Sequence, residues 1–352
     1  MASSASSTEP AIPAAKIQQQ AFYILFDYQI ENPAWPKSVC QNDGEGEQGS
    51  HCVGPMDIYA GGVIITQPMN ITQAHIAKVK REVPGALMMA YWCMEFIPVY
   101  TLDTGDCSSG HIMGDRAGRN CSTTYKCTDG QTPEFNRLVN NAFPRHWAQT
   151  DLSNGTVHCG YTGQATYVPF KESAESLAVM LASVVNKAGF DGIYLDGYLD
   201  PATYGEFKTP KFPSGAMYDF NGDGKADSPQ DVVKQYQTWA PYFVSQLRDL
   251  MGPDKYILSN SAGANPDPNL NGLTIEMEAC LDMKECTSAL VENQREGARP
   301  TKSVLWLTHS EVMSAEQQCD RAGEIQALLP FVQAGTDFFD GSHVVCNNTA
   351  AS

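Results

Sequence analysis

The chain has 352 residues, 42% of them hydrophobic and 18% charged, and 23 Lys and Arg against 40 Asp and Glu leave a formal charge of −17. That composition excludes a mostly disordered chain, and the length supplies a full core for one large domain or two medium ones. No apolar run reaches the roughly 18 residues of a membrane span, and the acidic balance repels polyanions, which argues against nucleic acid and leaves a neutral or cationic partner.

Residues 1–20 contain no apolar signal-like core and read as a disordered leader or a trimmed N-terminus outside the fold. A first strand is predicted at 21–27 (AFYILFD), ending on Asp27 with Tyr28 next. Residues 28–60 show no helical period and read as an irregular, disulfide-tied loop. A second strand at 61–66 (GGVIIT) leads to Thr72, a candidate N-cap for a helix with Ile76, Val79 and Val83 on one face. A third strand at 86–93 (ALMMAYWC) carries Trp92 and stops just before Glu95. Residues 103–166 form a second polar, Cys-rich insertion. Leu177, Leu181, Val184, Val185 and Ala188 make a helical stripe that Gly189 terminates. The fourth strand, 190–196, ends on Asp196 and opens an aromatic loop beginning at Tyr198.

Ser228, Pro229 and Asp231 then supply an N-cap, an N1 proline and an N3 acid. The helix that follows carries Val232, Tyr236, Trp239, Phe243 and Leu247, and Pro241 should kink or split it. The remaining strands are expected at 256–260 (to Asn260), 273–278 (with Glu276 and Glu278), 303–309 (with Trp306 and His309) and 336–340. A capping box at 314–317 (SAEQ) precedes the last helix.

Eight apolar strands alternating with helices predict an α/β fold, a (β/α)8 TIM-type barrel spanning 21–346 as one domain. Its insertions would be about 28–60, 103–166 and 197–228, the two Cys-rich ones on the C-terminal rim. The rival, an open doubly wound sheet, lacks a GxGxxG after the first strand, so no organic cofactor is expected.

Eleven cysteines, most in polar Gly-rich stretches, point to disulfides and an oxidising, extracellular setting, since no CxxC pair or zinc-ligand spacing occurs. Local pairs are expected at Cys40–Cys52 and Cys280–Cys286, with Cys93 the candidate free thiol. N-x-[ST] sequons at Asn70, Asn120, Asn154 and Asn347 agree with a secretory, glycosylated protein. DFNGDGKADSPQ (219–230) has EF-type calcium spacing: Asp219, Asn221, Asp223, the Lys225 carbonyl, Asp227, and Gln230 where a Glu is usual, for which Asp231 could substitute.

Asp27, Glu95, Asp196, Asn260, Glu278, His309 and Asp340 all fall at or just past strand C-termini, which a barrel gathers at one mouth. No GxSxG and no HExxH is present, so two-carboxylate acid–base chemistry uses what the chain offers. Asp196 is the leading candidate, and Tyr194 shares its face by period two. Glu276 and Glu278 share a face too, and two glutamates turned into a barrel need a functional reason. Asp27 and Asn260 suit hydrogen bonds to substrate hydroxyls, while Tyr28, Trp92, Tyr194, Tyr198 and Trp306 suit contact with sugar faces, with Glu95 and His309 at the same rim.

GFDGIYLDGYLD, followed by a later strand with a terminal Glu, resembles the barrels of glycoside hydrolase family 114 and related putative glycosyl hydrolases. The resemblance covers roughly 21–340 in strand order and implies Asp196 as nucleophile and Glu278 as acid/base, with Glu276 the alternative on the same strand. The two Cys-rich insertions depart from that family's pattern, and substrate does not carry over. The expected function is a secreted glycosidase acting on a neutral or cationic glycan. An inactive barrel binding extracellular or cell-wall glycans, and a lyase or isomerase using His309 or a tyrosine as base, are the alternatives.

Overall fold

A computed structural model describes residues 22–24, 39–41, 51–53, 62–66, 68, 71–93, 150–152, 171–196, 218–219, 223–260, 267–277, 280, 282–307, 312–336 and 346. Eight parallel strands form one sheet: β1 (Phe22–Ile24), β4 (Val63–Thr66), β5 (Leu87–Cys93), β7 (Gly192–Asp196), β9 (Tyr256–Asn260), β10 (Gly272–Glu276), β11 (Ser303–Leu307) and β12 (Val332–Thr336). They lie side by side in chain order, and the first and last of them, β1 and β12, approach each other in space, so the sheet is curled. The fold is thus α/β with a curled parallel sheet, and among the described residues no ladder joins β1 to β12.

Five helices make the described crossovers: α1 (Gln73–Glu82), α2 (Lys171–Ala188), α3 (Pro229–Met251), α4 (Met283–Glu296) and α5 (Ala315–Leu328). Thr72, Ser228 and Ser314 each close a capping box, accepting from the backbone N–H three residues on, so the orphan donors of three helix starts are met locally. Contrary to expectation, α3 runs through Pro241 without interruption. Pro241 is solvent-exposed, while Trp239, Phe243 and Leu247 around it are buried, so tertiary packing holds the helix across the missing N–H. Trp239 and Phe243 stack at 5.4 Å, and the Trp239 indole donates to Ser173 of α2 at 3.1 Å.

Strands β4, β5, β7, β9, β10 and β11 bury both faces, as parallel strands do. One face packs on the helices: Ile64, Met88, Ala90, Trp92, Ile193, Leu195, Ile257 and Ile275 meet Ile76, Leu177, Phe243 and Leu290. The other forms a smaller cluster of strand residues alone, which places it inside the curl: Val63, Ile65, Met89, Tyr194, Leu258 and Val304, edged by Tyr91 and Trp306. Gly272 lets β10 approach β11, since a Cβ there would collide with the Lys302 carbonyl.

Two short antiparallel pairs follow strands of the sheet. β2 (Val39–Gln41) and β3 (His51–Val53) stand where a first crossover helix would be, and their register sets Cys40 directly opposite Cys52. β6 (Thr150–Asp151) pairs with β8 (Tyr218–Asp219), tying the insertion after β5 to the one after β7. Disulfides join Cys280 to Cys286 and Cys319 to Cys346. The first was expected; the second was not, because Cys319 sits in α5 and not in a polar loop.

Two strand assignments change. The eighth strand is Val332–Thr336, ahead of the expected 336–340, because Gln333, Ala334 and Gly335 gain pairing with β11 despite modest strand propensity. β10 ends on Glu276, and Met277 already lies in a turn closed by the Cys280 N–H.

Candidate functional site

Asp196, Asn260 and Glu276 are the last residues of β7, β9 and β10, three neighbouring strands. Period two turns them to the same side as Tyr194, Leu258 and Thr274, the inside of the curl. The sheet is parallel, so all three lie at its C-terminal edge, and each is only partly buried.

The three side chains form one network. The Asn260 amide nitrogen donates to Asp196 Oδ1 at 3.0 Å and to Glu276 Oε1 at 2.8 Å. A trigonal amide nitrogen directs its two hydrogens about 120° apart, so these acceptor oxygens are separated by about 5 Å. The other Asp196 oxygen, Oδ2, accepts from the Tyr91 hydroxyl at 2.6 Å. Tyr91 stacks on Tyr194 with ring centroids 6.2 Å apart. Tyr194 is 1% exposed, and its phenol is pushed well above the ordinary range, first by burial and then by Asp196, Glu276 and Tyr91. It therefore stays a neutral hydroxyl beneath the two carboxyl groups. Trp306 pairs in register with Glu276 across β10 and β11 and remains partly exposed at the edge of the interior cluster.

The structure thus gathers Asp196, Asn260, Glu276, Tyr194 and Trp306, and it changes three expected roles. Trp92 belongs to the helix-facing cluster and is 5% exposed, because Tyr91 occupies the inward side of β5. Tyr194 underlies the pair and is too buried to meet a sugar face. Asn260 spends both amide hydrogens on the carboxylates, so it cannot donate to a substrate hydroxyl as well. Tyr91 was missed. Met88, Ala90 and Trp92 are as apolar as Leu87 and Met89, so nothing in β5 alone tells which side is inner. Asp27, Tyr28, Glu95, Tyr198, Glu278, His309, Asp340 and the sequon residues Asn70, Asn120, Asn154 and Asn347 lie outside the described residues.

In the loop ahead of α3, Asp219 accepts from the N–H groups of Asp223 (3.2 Å) and Gly224 (2.8 Å), and Asp223 accepts from Lys225 at 2.9 Å. Gly224 has φ +82°, a left-handed conformation that suits glycine. Asp227 accepts from Gln235 at 3.0 Å, and Gln230 is exposed in the first turn of α3. Asp231 is committed to the Ser228 cap, so it does not stand in for a twelfth-position ligand. Asn221 lies outside the described residues, and among those described no group of three or more His, Cys, Asp or Glu is arranged to hold a metal.

No family model and no curated protein matches the sequence. Among solved structures, the chain is similar to a variant of the glycoside hydrolase domain of PelA from Pseudomonas aeruginosa (11% identity, TM-score 0.41, 78% of this chain and 86% of that one). It is also similar to the PgaB (BpsB) glycoside hydrolase domain from Bordetella bronchiseptica (11%, 0.37, 78% and 83%). A third likeness is to the Nostoc punctiforme debranching enzyme (12%, 0.42, 95% and 75%).

Proposed function

We propose that the chain is a glycoside hydrolase acting on a neutral or cationic glycan, with Asp196 as nucleophile and Glu276 as general acid/base at the mouth of a closed (β/α)8 barrel. The observation that supports this reading is the single Asn260 nitrogen bonded to both carboxyl groups. The two oxygens that accept from it lie about 5 Å apart, which matches the close carboxyl pair of a retaining glycosidase. Glu276 delivers its proton to the glycosidic oxygen as the C1–O bond breaks, and Asp196 takes C1 as an ester. Glu276 then draws a proton from water, which attacks C1 and frees Asp196. The acid role passes from Glu278 to Glu276 because Glu276 ends β10 beside Asn260. Trp306, next to Glu276 in register, is the aromatic platform for a sugar ring.

The Cys280–Cys286 and Cys319–Cys346 disulfides and the four sequons support an extracellular setting. The 219–230 loop retains the spacing for calcium, and the turn around Asp219 and Gly224 is compatible with it. Titration calorimetry with calcium, and thermal unfolding with and without chelator, test that assignment. Absence of both heat and shift removes it.

The function is tested by a chromogenic-glycoside and glycan-array screen of the wild type beside Asp196→Asn and Glu276→Gln. Turnover should fall in Glu276→Gln by about 10²–10⁴-fold and further in Asp196→Asn, with glycan binding kept and the anomeric configuration retained in the first product. Binding without turnover by the wild type would instead identify a glycan-binding barrel.

A further inference from the structure

We propose that Tyr91 is a positioning residue for Asp196, fixing the plane of its carboxylate through a hydroxyl held by the buried ring of Tyr194. An aspartate anchored through one oxygen still swings about its Cβ–Cγ bond. Asp196 is anchored through both: Oδ1 accepts from Asn260 on β9, and Oδ2 accepts from Tyr91 on β5 at 2.6 Å. The anchors stand on the strands flanking β7, so the carboxylate is gripped from both sides. Tyr91 reaches Asp196 diagonally, since its own partner across the β5–β7 ladder is Tyr194 and that of Asp196 is Cys93. The Tyr91 ring is held in turn. It lies at the edge of the interior apolar cluster and stacks at 6.2 Å on Tyr194, one of the largest fully buried side chains. A phenol set on a rigid ring fixes an oxygen more tightly than a serine or a water, and productive geometry tolerates errors of only about 10–20°.

The inference extends the assignment of Asp196 as nucleophile in its kinetic consequence, but its structural content stands apart from that assignment. The test therefore has two arms, both using Tyr91→Phe, which keeps the ring and its stacking and deletes only the hydroxyl. In proton NMR at low temperature, the wild type should show a downfield, slowly exchanging hydroxyl signal that disappears both in Tyr91→Phe and in Asp196→Ala. No such signal in the wild type, or its survival in either variant, overturns the proposal whether or not the chain is a hydrolase. On a glycoside that the wild type turns over, Tyr91→Phe should lower kcat by about 10- to 100-fold and leave KM within about twofold. An unchanged kcat, or a raised KM with kcat intact, overturns it, the latter because Tyr91 would then be contacting substrate. A hydroxyl signal that behaves as expected in a protein without turnover upholds the positioning of Asp196 and removes only the hydrolase reading.

Discussion

Asn260 determines the spacing of the two carboxylates, and its side chain is where the site is most exposed to a single change. Replacing it with alanine removes the donor shared by Asp196 and Glu276, so one oxygen of each carboxyl group loses that hydrogen bond. Asn260→Ala should be destabilised by about 1–2 kcal/mol at pH 7, read from urea unfolding, and should lose turnover along with it. An unchanged midpoint would mean that the amide contributes nothing to holding the pair. Lys302, the residue before β11, makes a different residue-scale prediction. Burial depresses its ammonium from about 10.5 to about 8. The unfolded chain therefore binds the proton more tightly, so stability rises between pH 8 and about 10.5, and the penalty is fully present below pH 8. Lys302→Met should stabilise the protein at pH 7 by on the order of 1 kcal/mol, discounted because the group is partly exposed, and the gain should fade by about pH 10.5. Unfolding at pH 7 and pH 10.5 measures the difference.

At the scale of elements, close strand approach and helix capping have unequal weight. A Cβ at Gly272 would run into the Lys302 carbonyl, which is backbone just ahead of β11, held in place as the Lys302 N–H donates to the Asn271 carbonyl at 2.8 Å. Gly272→Ala should destabilise by about 3 kcal/mol or more and should also displace Glu276, four residues on, so activity falls with stability. Ser228→Ala removes the cap of α3, whose side chain serves the Asp231 N–H at 3.2 Å, and should cost about 1 kcal/mol with the site untouched. Thermal unfolding of the two variants side by side checks the ranking, which equal losses would contradict. Caps of this kind were legible in the sequence, because Thr72, Ser228 and Ser314 satisfy donors within three residues. The continuity of α3 through Pro241 was not legible, because it comes from burial of Trp239, Phe243 and Leu247 against other elements.

For the molecule as a whole, the Cys319–Cys346 bridge ties α5 to a point 27 residues further along the chain. Closing a loop of that size restricts the unfolded chain, so Cys319→Ser with Cys346→Ser should lower stability by about 2–4 kcal/mol, measured by urea unfolding against the oxidised wild type. The alternation of strands and helices, the acids at strand ends and the short Cys280–Cys286 bridge could be read from local sequence, because each rests on period, capping or spacing within a few residues. Tertiary structure decided the rest. Both faces of β5 are apolar, so only the curl of the sheet shows that Tyr91 points in and Trp92 points out. Glu276 and Glu278 have the same parity, so no pattern separates them. Glu276 joins the pair because β10 ends there, one strand over from Asn260. The partnership of Asp196, Asn260 and Glu276 depends on side-by-side pairing of strands whose members lie 64 and 16 residues apart in the chain, and pairing at that range is set by burying the whole sheet and not by any segment of it.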